Sequence, residues 1–153
     1  MRKVIFLVGL TLFFSVSRIN AQSTYQTALG LGIDFGDGAT LVGPSVKHFF
    51  ATNHAGQAEI LFGDRTTFIT ALYEYNKDFP NAAGLKWYLG IGPSIGLYKG
   101  GSSFYIRPVA GLDYKINDVP LDFAFDWRPA LYLGDNGSDF NAARFGLGFR
   151  YAF

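Results

Sequence analysis

The sequence predicts an all-β fold: an eight-stranded antiparallel up-and-down barrel that crosses a membrane with its strands. Three observations lead to this prediction. Residues 140–153 alternate between apolar residues and small or cationic ones, and a similar alternation recurs along the chain. A period of two is that of a β-strand, whose successive side chains point to opposite faces. Every charged residue after residue 21 falls either on the less apolar face of a strand or in a turn.

The composition fits one domain and excludes several kinds of site. The 153 residues suffice for one domain but hardly for two. Cysteine is absent from the sequence, which rules out disulfides, thiol catalysis and cysteine-based zinc sites. The formal net charge of +1 argues against nucleic acid as a partner.

Residues 1–21 are predicted to be a secretory signal peptide, which leaves 22–153 as the barrel domain. Arg2 and Lys3 form a positive start, and an apolar run follows over Val4–Val16. This run is too short to span a bilayer, and Ala21 supplies a small residue before a cut ahead of Gln22. An uncleaved anchor helix is the less favoured alternative.

The first four strands are separated by short turn signals at 36–38, 52–54 and 64–66. They are predicted at Tyr25–Phe35, Thr40–Phe50, Ala55–Gly63 and Thr67–Asn76. In the first strand Tyr25, Leu29 and Leu31 share the apolar face. The second strand is the least regular of the four, with Lys47 facing inward. The third and fourth place carboxylates opposite isoleucine and tyrosine rows.

The last four strands are longer and alternate more regularly. They are predicted at Gly84–Tyr98, Phe104–Ile116, Leu121–Tyr132 and Phe140–Phe153, with breaks at 78–81, 99–103, 117–120 and 134–139. In the final strand one face is wholly apolar and mostly aromatic, with Phe145, Phe149, Tyr151 and Phe153 beside Ala143 and Leu147. A tilted strand needs roughly 9–11 residues to cross a bilayer, so all eight are long enough.

The distribution of charge distinguishes a membrane barrel from a soluble one. The residues predicted to face the barrel interior are Asp34, Lys47, Glu59, Glu74, Lys86, Arg107, Asp113, Lys115, Asp122, Asp126, Arg128, Arg144 and Arg150. The remaining charges of the mature chain fall in turns or at strand ends, which leaves the apolar face without charge. A cation facing lipid at mid-bilayer costs roughly 2–4 kcal/mol. A soluble barrel such as a lipocalin would show the reverse pattern.

The interior charges predict a filled lumen. Six acids and seven bases face a space that eight strands make just wide enough for side chains. Complementary neighbours offset the desolvation of buried charge. We therefore expect an ion-pair network that plugs the barrel, with inward glycines making room for long side chains. The prolines at 44, 93, 108 and 129 lie within strands, on the apolar face that is predicted to point outward. They occur twice as Gly-Pro-Ser and twice as Arg-Pro, which suggests a repeated bulge or bend.

Two segments resemble a known class of proteins. Residues 111–121, followed by Asp126-Trp127-Arg128-Pro129, resemble small outer-membrane β-barrels of the Bacteroidetes type, in the OmpA/OmpX-like class. The closing Gly-Phe-Arg-Tyr-Ala-Phe is similar to the signal by which outer-membrane proteins engage the barrel-assembly machinery. The resemblance implies that Phe149, Tyr151 and Phe153 form this signal. It covers the mature chain and specifies architecture better than activity.

The serines and histidines of the sequence favour a protein that is not an enzyme. Some barrels of this size hydrolyse lipid A with a Ser-His pair, but Ser45 and Ser94 have no adjacent histidine on their face. His48 faces outward by parity, and His54 lies in a turn. Asp135–Asp139 carries oxygen atoms suited to weak Ca²⁺ binding but lacks the fuller loop pattern. No catalytic, cofactor or metal site is predicted.

We therefore expect an integral protein of the bacterial outer membrane, with both termini in the periplasm. Its role would be structural, or that of an accessory subunit of a larger outer-membrane complex. The alternatives are a lipid-modifying enzyme similar to lipid A deacylases, and a narrow channel. The expected partners are outer-membrane lipids, the barrel-assembly machinery during insertion, and the larger complex.

Overall fold

The computed structural model describes residues 25–153, so the predicted signal peptide lies outside the described residues. Within this range every regular element is a β-strand. The strands are β1 (Thr27–Gly36), β2 (Ala39–Ala51), β3 (His54–Phe62), β4 (Thr66–Asp78), β5 (Leu85–Tyr98), β6 (Gly101–Lys115), β7 (Leu121–Trp127), β8 (Ala130–Gly134), β9 (Gly137–Asn141) and β10 (Phe145–Ala152). Between residues 25 and 153, no helix is long and apolar enough to cross a lipid bilayer.

The strands close into an antiparallel barrel. Each strand from β1 to β6 pairs with the next in the chain, and β10 pairs with both β1 and β7. Since β7 and β8 both pair with β6, they form one interrupted barrel strand. Likewise β9 and β10 together form the last one. The barrel therefore has eight strands, and the predicted fold class is confirmed.

The barrel has two distinct ends. Thr27 and Ala152 lie at the end where the chain enters and leaves, together with the connections β2–β3, β4–β5 and β6–β7. We call this the terminal end. The connections β1–β2, β3–β4, β5–β6 and β8–β9 lie at the opposite end, which we call the loop end. Short turns at both ends keep the strands adjacent in chain order.

Alternation along the strands separates an apolar outside from a polar inside. Large side chains such as Leu31, Leu89, Ile91 and Phe149 point outward, with 45–54% of their surface exposed. The interior instead holds buried acids, bases and amides, with smaller patches of apolar contact. A soluble barrel would bury its apolar row and expose its charges, so the polarity of this barrel is inverted.

The two Gly-Pro-Ser segments, 43–45 and 92–94, interrupt one ladder each without shifting its register. The β2–β3 pairing omits residues 43 and 44, and the β4–β5 pairing omits 92 and 93. Proline has no N–H to donate there, while the ladder on the other side of each segment continues. Each glycine lies against the neighbouring strand's backbone, where a Cβ would collide with a carbonyl oxygen. The predicted bend is thus a local close approach.

The two Arg-Pro pairs lie opposite each other. The β6–β7 pairing ends at Ala110–Trp127 and resumes with β8 at Ile106–Leu131, so Pro108 and Pro129 face each other across the gap. Neither proline can donate to a ladder. Pro129, predicted to point outward, is fully buried. That prediction is wrong because strand alternation stops where β7 ends.

Two further expectations need correction at strand ends. The last strand is not continuous over 140–153, since residues 142–144 separate β9 from β10. The pairing register differs by one residue across this interruption, as in a β-bulge. Tyr25 was expected on the outer face but is only 4% exposed. It precedes β1, so the parity of that strand does not apply to it.

Candidate functional site

The barrel interior concentrates the charged residues and is the candidate functional site. The buried charged residues are Asp34, Lys47, Glu59, Glu74, Lys86, Arg107, Asp113, Asp122, Asp126, Arg128, Arg144 and Arg150. They comprise six acids and six bases, so their formal charges cancel. All of them except Lys86 form three clusters along the barrel axis.

The loop-end cluster consists of Asp34, Arg107 and Arg144. Arg107 donates from Nη1 to Asp34 Oδ2, and Arg144 donates from Nη2 to Asp34 Oδ1 over 2.6 Å. Arg144 also caps the β1–β2 turn by donating to the carbonyl oxygen of Gly36 at 2.6 Å. Two guanidinium groups share one carboxylate, so this cluster carries a formal charge of +1.

The central cluster consists of Glu59, Tyr88, Asp126 and Arg128. Arg128 donates from Nη1 to Glu59 Oε2 at 2.7 Å. Its Nε and Nη2 atoms donate to the two carboxylate oxygens of Asp126. Tyr88 donates its hydroxyl to Asp126 Oδ2 at 2.6 Å. Bidentate pairing of arginine with a carboxylate is among the stronger charge-assisted arrangements. The cluster links β3, β5 and the β7–β8 junction across the lumen.

The terminal-end cluster contains two bases and three acids. Lys47 Nζ lies 2.8 Å from both Glu74 Oε2 and Asp113 Oδ2. Arg150 Nη1 lies 3.3 Å from Asp122 Oδ2 and 3.9 Å from Asp113 Oδ2. All five side chains are completely buried or nearly so. Both cations therefore bridge strands that are far apart in sequence.

Two predicted interior lysines lie near the terminal end. Lys86 is buried and pairs with the exposed Asp78 at 2.7 Å. Lys115 does not belong to the network. It is half-buried at the rim, where Nζ donates to the carbonyl oxygens of Ile116 and Val119 at 2.8 and 2.6 Å. The prediction was wrong for Lys115 because β6 ends at this residue, which lets the side chain cap the next turn.

Interior glycines leave space for the arginine side chains. A Cβ at Gly146 would collide with the guanidinium group of Arg128, and one at Gly148 would lie 2.6 Å from Arg150 Nη2. Both glycines are on β10 and face inward. Glycine at these positions is therefore needed for room rather than for backbone freedom.

Neutral polar residues complete the network, and the charge pattern of the sequence did not reveal them. Tyr25 donates to Asp113 Oδ2 at 2.9 Å. Burial, with a smaller contribution from the negative charge of Asp113, raises the Tyr25 pKa well above its usual value near 10, so the hydroxyl remains a donor. Asn76 accepts from Lys47 at 2.8 Å, and Ser45 donates to Glu59 at 3.1 Å. The inward parity of Ser45 and Asn76 was the available signal.

The serines and histidines considered for catalysis lie on different faces of the sheet. Ser45 and Ser94 are buried, and the Ser94 hydroxyl lies 2.6 Å from that of Thr70. His48 points outward, with Nδ1 2.8 Å from the Thr27 hydroxyl. His54 begins β3 and packs in an aromatic cluster. Across residues 25–153, no group of three or more His, Asp and Glu side chains is placed to hold a metal ion.

The closing strand presents its aromatic row outward. Phe149, Tyr151 and Phe153 are all exposed, and the rings of Tyr151 and Phe153 lie 5.1 Å apart. Backbone hydrogen bonds join residue 153 to Gln26, just before β1, and to Thr27, the first residue of β1. The residues of the predicted assembly signal are thus on the surface at the seam of the barrel.

A cavity of about 800 Å³ opens at the loop end. The loop-end cluster lies at its floor. Its mouth includes Gly38 of the β1–β2 connection, Asp64 and Arg65 of the β3–β4 connection, and Asp139 of β9. Below this floor the central and terminal-end clusters occupy the lumen. We call this cavity the vestibule; it lies above the charged interior of the barrel.

Comparison with known proteins supports the architecture. The N-terminal β-barrel domain of Pseudomonas aeruginosa OprF superposes with a TM-score of 0.56 and 16% sequence identity, over 84% of this chain and 100% of that domain. The chain shares its barrel fold. Neisserial surface protein A (NspA) superposes with a TM-score of 0.54 and 16% identity, over 88% of this chain and all of NspA. No protein-family profile matches the chain, and neither does the sequence of any curated protein.

Proposed function

We propose that this protein is an integral outer-membrane β-barrel of the Bacteroidetes type, with a plugged, ion-paired interior and periplasmic termini. It serves as a structural protein or as an accessory subunit of a larger outer-membrane complex. The single observation that carries the proposal is the inverted polarity of the barrel. Twelve charged residues are buried inside, whereas the large exposed side chains outside are apolar or aromatic.

The outer surface fits lipid. Leu31, Leu89 and Ile91 are each at least half exposed in the middle of their strands. Near the terminal end, His54, Tyr73, Tyr75 and Trp87 form contacts between rings. Aromatic rings at such a position suit the interface between lipid and water. Outer-membrane lipids are accordingly the first proposed partner.

The interior supports closure rather than conduction. Arg128, Tyr88 and Lys47 are among the largest fully buried side chains, and they come from three sides of the lumen. Breaking a buried ion pair costs about 3–5 kcal/mol, so these side chains would not move aside readily. A channel would require a continuous aqueous path past the central cluster.

Planar-bilayer recording tests the plug. The wild-type barrel should give no steady ion conductance. The double variant Tyr88→Ala, Arg128→Ala removes the two large side chains at the centre and serves as the positive control, provided that it folds. Steady conductance by the wild-type barrel would contradict the plugged interior and favour a narrow channel.

The accessory role is supported by the short connections, which leave the exposed sheet face as the main surface for a partner. Purification from native membranes in a mild detergent, after cross-linking in the intact membrane, tests it. A stoichiometric membrane partner is expected. A barrel that is consistently recovered alone would leave only the structural role.

The lipid A mass spectrum should be the same with and without the protein, and a lost acyl chain would instead support the enzyme.

We further propose that Phe149, Tyr151 and Phe153 engage the barrel-assembly machinery. All three are outward and lie on or next to the strand that seals the barrel. Phe153→Ala should lower the folded amount in cells while leaving spontaneous folding into vesicles unchanged. Phe140→Ala, which removes an exposed phenylalanine from β9, is the matched control. Equal losses for both variants in cells would contradict a specific signal.

A further inference from the structure

The vestibule at the loop end has a layered chemistry. Its floor is the buried loop-end cluster, which has one more cation than anions. In addition, the Nε atom of Arg107 is buried and has no hydrogen-bond partner among the described residues. A buried positive charge in surroundings of low polarity attracts an anion more strongly than one in water. The deepest layer of the vestibule therefore favours an anionic group.

The middle layer is aromatic. Phe68, Tyr105 and Tyr132 are half-buried and line the cavity. The ring centroids of Phe68 and Tyr105 lie 5.3 Å apart, and those of Tyr105 and Tyr132 lie 5.6 Å apart. A Cβ at Gly134 would collide with the Tyr132 ring, so glycine at this position provides the space that the ring occupies. Such a continuous wall suits a flat apolar ring, which can pack edge-on or offset against it.

The mouth has the opposite charge from the floor. Asp64, Arg65 and Asp139 line it and are exposed, so one cation stands against two carboxylates. The formal charge thus changes from +1 at the floor to −1 at the mouth. A ligand that carries only a negative charge would be attracted by the floor and repelled by the mouth. A ligand that carries only a positive charge would be repelled by the floor and attracted by the mouth.

We propose that the vestibule binds a small zwitterionic molecule in which a flat ring separates a carboxylate from an ammonium group. The carboxylate lies toward Arg107 and Arg144, the ring lies against Tyr105 and Tyr132, and the ammonium group lies at the mouth. The cavity of about 800 Å³ is of the size that accommodates small organic ligands. This inference depends on the cavity alone and holds whichever side of the membrane the loop end faces.

The first test compares three probes on the wild-type barrel by isothermal titration calorimetry in detergent micelles. The probes are 4-(aminomethyl)phenylacetate, phenylacetate and 4-methylbenzylamine, which carry both charges, the carboxylate alone and the ammonium group alone. The zwitterion should bind most tightly and the amine most weakly. Equal affinities, the opposite order, or no binding of the zwitterion at millimolar concentration would overturn the proposal.

The second test uses two aspartates of the same hairpin. Asp139 lines the cavity, whereas the exposed Asp135 does not. Asp139→Asn should weaken the zwitterion about threefold, as expected for an exposed charge pair, and leave phenylacetate unweakened. Asp135→Asn should change neither. Equal effects of both variants on the zwitterion would contradict a site at the mouth.

The third test addresses the floor. Arg107→Gln should weaken both the zwitterion and phenylacetate about tenfold, in line with the loss of a charged contact. Lys99→Gln, which removes an exposed cation from the loop end without touching the cavity, should leave both affinities within error. Unchanged binding to a folded Arg107→Gln variant would overturn the proposal. If that variant does not fold, the probe series and the aspartate pair still decide.

Discussion

Replacing Arg128 with leucine should be among the most destabilising single changes in the barrel. Arg128 is 2% exposed and forms ion pairs with both Glu59 and Asp126, which are also buried. Leucine fills part of the vacated space but leaves both carboxylates without their cation. Removing one partner of a buried ion pair costs about 3–5 kcal/mol. Because two carboxylates are affected, we expect a loss at the upper end of this range.

Urea unfolding in phospholipid vesicles, followed by tryptophan fluorescence, measures this loss. Arg65→Leu, which removes an exposed arginine, is the control and should change the free energy of unfolding by no more than about 0.5 kcal/mol. The triple variant Glu59→Gln, Asp126→Asn, Arg128→Leu neutralises the stranded carboxylates and should recover at least half of the loss. A folded Arg128→Leu barrel that loses less than about 1 kcal/mol would refute the reasoning, since the pair would then behave as solvent-exposed.

Three further predictions follow from the same structure. Ile91→Arg places a cation at mid-strand on the outer face and should lower the free energy of unfolding in vesicles by about 2–4 kcal/mol. The control Asn136→Arg, in an exposed turn, should lower it hardly at all. Equal unfolding curves for the two variants would contradict a lipid-facing Ile91. Gly146→Ala should lower the free energy of unfolding by about 1–3 kcal/mol because Arg128 must move. The control Gly101→Ala, whose added Cβ meets only ordinary contacts, should be near neutral. Equal losses in urea unfolding would contradict the role of Gly146. The raised pKa of Tyr25 keeps its hydroxyl protonated in the folded state at a pH where the unfolded state loses this proton, so the free energy of unfolding should fall as the pH rises above about 10. The Tyr25→Phe variant should show a shallower fall. An identical slope for both proteins would argue against a buried hydroxyl.

The fold could be predicted from the sequence because the constraint is local and repeated. A period of two assigns each residue a face, and exclusion of charge from one face predicts which side is outward. The rule worked where strands are continuous, and it placed Asp34, Lys47, Glu59 and Arg150 inside. It failed for Tyr25, Pro129 and Lys115, each of which lies at or beyond a strand end, where alternation no longer fixes direction.

The pairing inside the barrel could not be predicted from the sequence. Parity shows that a side chain points inward but not its height along the axis, which depends on strand tilt and stagger. Arg128 meets Glu59 across 69 positions of sequence, and Arg107 meets Asp34 across 73. For the same reason the vestibule could not be predicted, because its lining comes from several strands and connections that only the closed barrel brings together.

We propose that the outer face of the barrel meets lipid while the inner face is closed. Because the sequence has no cysteine, a single cysteine can be placed and spin-labelled at each position of β5 (Leu85–Tyr98) in vesicles. Collision with a lipid-soluble relaxation agent should be high at Leu89, Ile91 and Ile95 and low at Tyr88 and Ser94, with a period of two. Labels at 88 and 94 should also be shielded from a water-soluble agent. Uniform accessibility, or the opposite phase of the alternation, would contradict the claim.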